Sequence, residues 1–124
     1  MTMKEPSILI VEDDGLIALH LQEILLNSGY NVPDPVASGE EAIEHMRTSS
    51  PDLVLMDITL DGRLNGIETA REIRKISDIP VIFLSAHSDM KLLTGAGGET
   101  YTGFIAKPFN QADVIQTVGK MLQR

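Results

Sequence analysis

Three short stretches of this chain are apolar without a break: Ile8-Leu9-Ile10-Val11, Leu53-Val54-Leu55-Met56 and Val81-Ile82-Phe83-Leu84. A strand with one wet face alternates apolar and polar residues, so unbroken runs of this kind require cover on both faces, as in a parallel sheet between two layers of helices. The segments between them carry the matching helical period. Ile17, Leu21, Ile24 and Leu25 lie on one face of a first helix that stops before Gly29. Ser38 to Glu41 reads as a capping box opening a second helix, with Ala42, Ile43 and Met46 inward. Asn65 to Lys75 reads as a third, with Ile67, Ala70 and Ile73 on one side and Arg71, Arg74 and Lys75 toward water. Asn110 caps a last helix carrying Val114, Ile115, Val118 and Leu122.

Two elements carry weaker signals. Tyr30 to Val36 holds Pro33 and Pro35, which remove two backbone donors and suit only an edge strand. Ser88 to Leu93 begins a helix that Gly95-Ala96-Gly97-Gly98 should end early, and Gly103-Phe104-Ile105-Ala106 is a short fifth strand. The expected fold is α/β: five βα units forming one open, doubly wound, five-stranded parallel sheet over residues 1–124.

Composition removes several functions. Ten Lys plus Arg against eighteen Asp plus Glu leave a net charge of −8, a field that repels nucleic acid. With no cysteine there is no disulfide scaffold, thiol nucleophile or thiolate zinc site. The apolar run Ile8 to Val11 is too short for a signal peptide or a membrane span, so a cytoplasmic protein without membrane insertion is expected.

In open sheets of this class ligands bind beyond the carboxyl ends of the strands. Those ends carry Glu12-Asp13-Asp14, Asp57, Ser85-Ala86 and Lys107-Pro108. If the first and third strands are neighbours, Glu12, Asp13 and Asp57 converge, and close carboxylates need a compensating cation. An all-oxygen donor set suits Mg²⁺ or Mn²⁺, which leaves coordination positions open for a phosphate. His20, His45 and His87 have no ligand spacing, although His87, two residues past Ser85, is a candidate to influence water access to the site.

Taken in order, Ile8-Leu9-Ile10-Val11-Glu12-Asp13-Asp14, Leu53-Val54-Leu55-Met56-Asp57-Ile58, Val81-Ile82-Phe83-Leu84-Ser85-Ala86 and Phe104-Ile105-Ala106-Lys107-Pro108-Phe109 resemble the receiver domain of two-component response regulators over essentially the whole chain. The resemblance implies the strand order 2-1-3-4-5 and makes Asp57 the acceptor of a phosphoryl group from a phosphohistidine on a histidine kinase or histidine phosphotransfer protein. It implies Mg²⁺ held by Glu12, Asp13, Asp57 and the backbone carbonyl of Thr59, with Lys107 as the cation at the site, Ser85 as a hydroxyl donor to the phosphoryl group and a cis Lys107-Pro108 bond. Ser85 and Phe104 become the switch residues, and the shift is read by a downstream protein at the surface of the fourth helix and the last strand and helix. Such a domain is not an enzyme beyond assisting its own phosphorylation and dephosphorylation.

Some positions depart from that pattern. Phe104 lacks the hydroxyl of the commoner tyrosine, Ser85 lacks the methyl of threonine, and Asp61 stands where proline is frequent, in a loop one residue longer than the commonest spacing to the glycine. The sequence leaves two rivals open: a Mg²⁺-dependent phosphohydrolase with an aspartyl nucleophile, and a receiver-like binding module that is never phosphorylated.

Overall fold

A computed structural model of the chain describes residues 5–89 and 103–123, apart from the side chain of His87. Its strands are β1 (Ile8–Val11), β2 (Leu53–Asp57), β3 (Val81–Ser85) and β4 (Gly103–Ala106), and its helices are α1 (Gly15–Asn27), α2 (Gly39–Thr48), α3 (Gly66–Arg74) and α4 (Gln111–Leu122). The strands form one parallel sheet in the order β1-β2-β3-β4.

The unbroken apolar runs have the predicted cause. Ile8, Ile10, Leu53, Leu55, Ile82, Leu84 and Ile105 pack with α1 and α4 on one side of the sheet. Leu9, Val11, Val54, Met56, Val81 and Phe83 pack with α2 and α3 on the other. Successive strand residues point to opposite faces, so a sheet covered twice must be apolar at every position. Leu21, Ile24 and Leu25 of α1, Ala42 of α2, Ile67, Ala70 and Ile73 of α3, and Val114 and Val118 of α4 are buried in these layers.

Side chains close the helix starts. Asp14 Oδ1 accepts from the amides of Leu16 and Ile17, and Ser38 Oγ from that of Glu41. Asn65 with Glu68 and Asn110 with Asp113 form reciprocal capping boxes. After α1 the chain turns at Gly29, whose φ of 93° is open to glycine at little cost.

Two expectations need correction. Five strands were expected, and the described residues form four. Residues 30–36 lie along the free edge of β1 but pair with that edge of the chain as isolated parallel bridges, Ser7 with Asn31 and Val11 with Val36, and form no continuous strand. Pro33 and Pro35 stand between those bridges without N–H groups, which interrupts the ladder. Arg74 does not face water: its guanidinium donates to the carbonyls of Ser77 at 3.2 Å and Ile79 at 2.9 Å, tying the end of α3 to the approach to β3. The helix expected from Ser88 falls mostly outside the described residues, and its described beginning, His87–Asp89, is a single 3₁₀ turn. Among the described residues, no helix is long and apolar enough to cross a membrane.

Candidate functional site

Register builds the site. Val11 pairs with Met56, Asp57 with Leu84, and Ser85 with Ala106, so the carboxyl ends of all four strands finish at one level. Glu12, Asp57 and Lys107 therefore meet at one end of the sheet. Because β-structure alternates faces at every residue, a slip of one position would turn the Asp57 side chain to the opposite face of the sheet.

Glu12, Asp13 and Asp57 each offer a carboxylate oxygen, and these oxygens lie within 4.8 Å of one another. Lys107 Nζ stands 3.2 Å from Asp57 Oδ1 and 3.4 Å from Glu12 Oε1. Glu12 and Asp57 are only 3% and 5% exposed, so one ammonium serves two carboxylates that water barely reaches. Burial is the main reason the Glu12 carboxyl is pushed up to about 7, and the neighbouring Asp57 adds to it, while the Asp14 amide at 3.1 Å and Lys107 oppose it. Burial pulls the Lys107 ammonium down, but Asp57 and Glu12 outweigh it and leave the group above its ordinary value.

These groups open onto a cleft of about 280 Å³ walled also by Asp14, Ile17, Thr59, Ala86, Ser88 and Asp89. Thr59 reaches it from the loop after β2, with its amide 3.4 Å from Asp57 Oδ1. The same loop is tied down twice: the Asp61 amide donates to Asp13 Oδ2 at 3.2 Å, and the Arg63 amide to Glu40 Oε2 at 3.2 Å. It ends at Gly66, whose amide donates to the Ile58 carbonyl at 2.8 Å. A side chain there would collide with the Asp57 carbonyl oxygen, so glycine lets α3 begin directly against the strand that carries Asp57.

The other two expected residues lie differently. Ser85 is buried at the end of β3, and its hydroxyl donates to the Ala86 carbonyl at 3.2 Å instead of contacting Asp57. Phe104 on β4 is 50% exposed and stands apart from the cleft, in a shallow groove with Lys120 and Met121 of α4. The Lys107-Pro108 bond is cis. The side chain of His87 lies outside the described residues.

Asp89 was not singled out by sequence reasoning. It is 7% exposed, and its carboxylate accepts from the Thr59 hydroxyl at 3.2 Å and the Ala86 amide at 2.9 Å. The available signal was slight: an Asp four positions after Ser85 reads as an ordinary turn or cap residue.

The three carboxylates fit a hard divalent cation. Their donors are all oxygen, their atoms are close enough to share one ion, and among the described residues a single lysine pairs with the cluster, which leaves it with excess negative charge.

Residues 8–119 match the family described as the response regulator receiver domain. The chain belongs to that family. It is 33% identical over 117 residues to the transcriptional regulatory protein PdtaR of Mycobacterium tuberculosis, covering 94% of this chain and 57% of PdtaR. It is also 33% identical over 115 residues to the chemotaxis protein CheY of Thermotoga maritima, covering 92% of this chain and 95% of CheY. This receiver thus spans little more than half of the first relative and nearly all of the second. The receiver domain of the sensor histidine kinase PA1611 from Pseudomonas aeruginosa, solved with a magnesium ion coordinated in its active-site cleft, superposes with a TM-score of 0.84 at 29% identity, covering 94% of this chain and 97% of that one. Both the receiver fold, with its parallel sheet between helices, and the acidic pocket follow the family.

Proposed function

We propose that this receiver is a phosphorylation-dependent switch in which Asp57 takes a phosphoryl group from a phosphohistidine on a histidine kinase or histidine phosphotransfer protein, in the cytoplasm. The observation that carries this reading is the buried Asp57 carboxylate held 3.2 Å from Lys107 Nζ, with Glu12 and Asp13 beside it. An Asp57 oxygen attacks phosphorus, the P–N bond breaks, and the imidazole nitrogen leaves with the bonding pair. The product is an acyl phosphate. Hydrolysis returns the carboxylate and inorganic phosphate.

Glu12, Asp13, Asp57 and the Thr59 carbonyl would hold Mg²⁺, which when bound supplies charge neutralisation for the phosphoryl oxygens. Lys107 pairs with the carboxylate before transfer and with the phosphoryl group after it. Glu12 must be ionised to serve as a ligand, so its raised pKa makes metal loading favour neutral and alkaline pH. Ser85, one residue before the loop that follows β3, turns its hydroxyl from the Ala86 carbonyl toward the new anion. Phe104, exposed on β4, belongs to the surface that a downstream protein reads. Residues 30–36 take the place of the second strand in the order 2-1-3-4-5. With a net charge of −8 the domain itself does not bind nucleic acid.

The test is incubation with Mg²⁺ and a small phosphodonor such as acetyl phosphate, read by intact mass. Wild type should gain one phosphoryl mass and Asp57→Asn none. No gain on wild type, or equal gain on both, overturns the proposal. Steady turnover of a phosphoester would point instead to a phosphohydrolase.

A further inference from the structure

Among the described residues the buried polar side chains are Glu12, Asp57, Thr69, Ser85 and Asp89. Glu12, Asp57 and Ser85 belong to the phosphoryl site, and the Thr69 hydroxyl bonds the Asn65 carbonyl at the start of its own helix. Asp89 has no such task. Its carboxylate spans two loops: Oδ1 accepts from the Thr59 hydroxyl at 3.2 Å and Oδ2 from the Ala86 amide at 2.9 Å. Its own amide returns a hydrogen bond to the Ala86 carbonyl at 2.9 Å. Thr59 stands between two carboxylates, its hydroxyl on Asp89 and its amide on Asp57. Asp57, Thr59, Ala86 and Asp89 all wall the same cleft.

We propose that Asp89 is a positioning residue, a latch that ties the loop after β3 to the loop after β2 while Asp57 is unphosphorylated, and that a phosphoryl group on Asp57 opens it by competing for the same two donors. This rests on the reading of Asp57 as the phosphoacceptor. Phosphorylation brings nearly two negative charges and three acceptor oxygens into a cleft of about 280 Å³. The Thr59 hydroxyl and the Ala86 amide are donors on that cleft, and Asp89 holds both. A phosphoryl dianion draws such donors more strongly than a monoanion and repels the carboxylate that has them. The latched and phosphorylated arrangements therefore compete, and Asp89 biases the resting population toward the first.

The experiment measures binding of beryllofluoride, in the presence of Mg²⁺, to wild type, Asp89→Ala, Asp89→Asn and Asp61→Asn, by calorimetry and by the Ala86 amide resonance. Removing the latch should tighten beryllofluoride binding roughly fivefold or more, the lower end of usual coupling between sites. Asp89→Asn, which keeps the shape and loses the charge, should shift it the same way by less. Asp61→Asn removes a negative charge from an exposed position in the loop after β2 without touching the latch, and should change binding less than about twofold. In ligand-free Asp89→Ala the Ala86 amide should lie on the line between the free and bound wild-type positions. Unchanged or weaker binding by both Asp89 variants, or an equal gain from Asp61→Asn, overturns the latch while the phosphoacceptor reading stands. Failure of wild type to bind beryllofluoride sinks both.

Discussion

Lys107 Nζ lies 3.2 Å from Asp57 Oδ1 across a sequence separation of 50 residues. The contact exists because Asp57 pairs with Leu84, and Ser85, the next residue, pairs with Ala106 immediately before the lysine. Removing the ammonium would leave two buried carboxylates without their cation. Lys107→Met should therefore lose about 3 kcal/mol of stability near pH 8 in metal-free buffer. The loss should shrink near pH 5.5, where Glu12, pushed up to about 7, is protonated. Urea unfolding at the two pH values measures both, and a loss independent of pH would contradict this account.

Glu12 should itself make metal-free stability depend on pH. Its carboxyl titrates near 4.5 in the unfolded chain and about 7 in the fold, so between those values the native state holds the extra proton. Its contribution is complete below about pH 4.5 and is lost as pH rises through about 7, to a limit on the order of 3 kcal/mol. Glu12→Gln should lack this decline. Parallel stability profiles for the two proteins across that window would refute the assignment.

Adding Mg²⁺ should stabilise the protein by about 1.4 kcal/mol at a concentration tenfold above its Kd, and a chelator should reverse the gain. The gain should grow as pH rises through about 7, because the metal competes with the Glu12 proton. Asp13→Asn should lose most of it. Thermal shift with and without Mg²⁺ reads each of these, and an undiminished shift in the variant would place the ion elsewhere.

Gly66→Ala should be costly for its single methyl group. The new Cβ would meet the Asp57 carbonyl oxygen, a backbone atom that cannot swing aside. A loss of at least about 2 kcal/mol is expected, together with slower phosphorylation, since any relief moves Asp57. A variant with wild-type stability and phosphorylation rate would show that α3 does not set the position of that strand end.

Phe83 and Phe104 are register partners on β3 and β4, yet Phe83 is fully buried and Phe104 half exposed. Phe83→Ala should cost about 3–5 kcal/mol by leaving a cavity, and Phe104→Ala no more than about 1 kcal/mol. Equal losses in urea unfolding would mean that Phe104 is packed inward.

Much of the molecule was readable from residue order alone. Unbroken apolar runs of four favour strands covered on both faces, and the i, i+4, i+7 spacing around them favours helices that supply the cover. The class, the helix caps at Ser38 and Asn110, and the acids at the strand ends follow from such local rules, whereas the caps at Asp14 and Asn65 emerge from the structure. Arg74 was misread because periodicity places a side chain on a helix face but does not say which carbonyls pass that face. Residues 30–36 were over-read, because the two prolines that mark an edge also prevent a continuous ladder there.

Sequence by itself determined what kinds of groups this protein holds at the ends of its strands, since residue type and period are local properties. Only the tertiary structure decided which of them meet. Lys107 reaches both Glu12 and Asp57, the Ser85 hydroxyl turns to its neighbour's carbonyl, and Asp89 closes over Thr59 and Ala86. Those contacts depend on strand register and loop path across tens of residues, which no local pattern encodes.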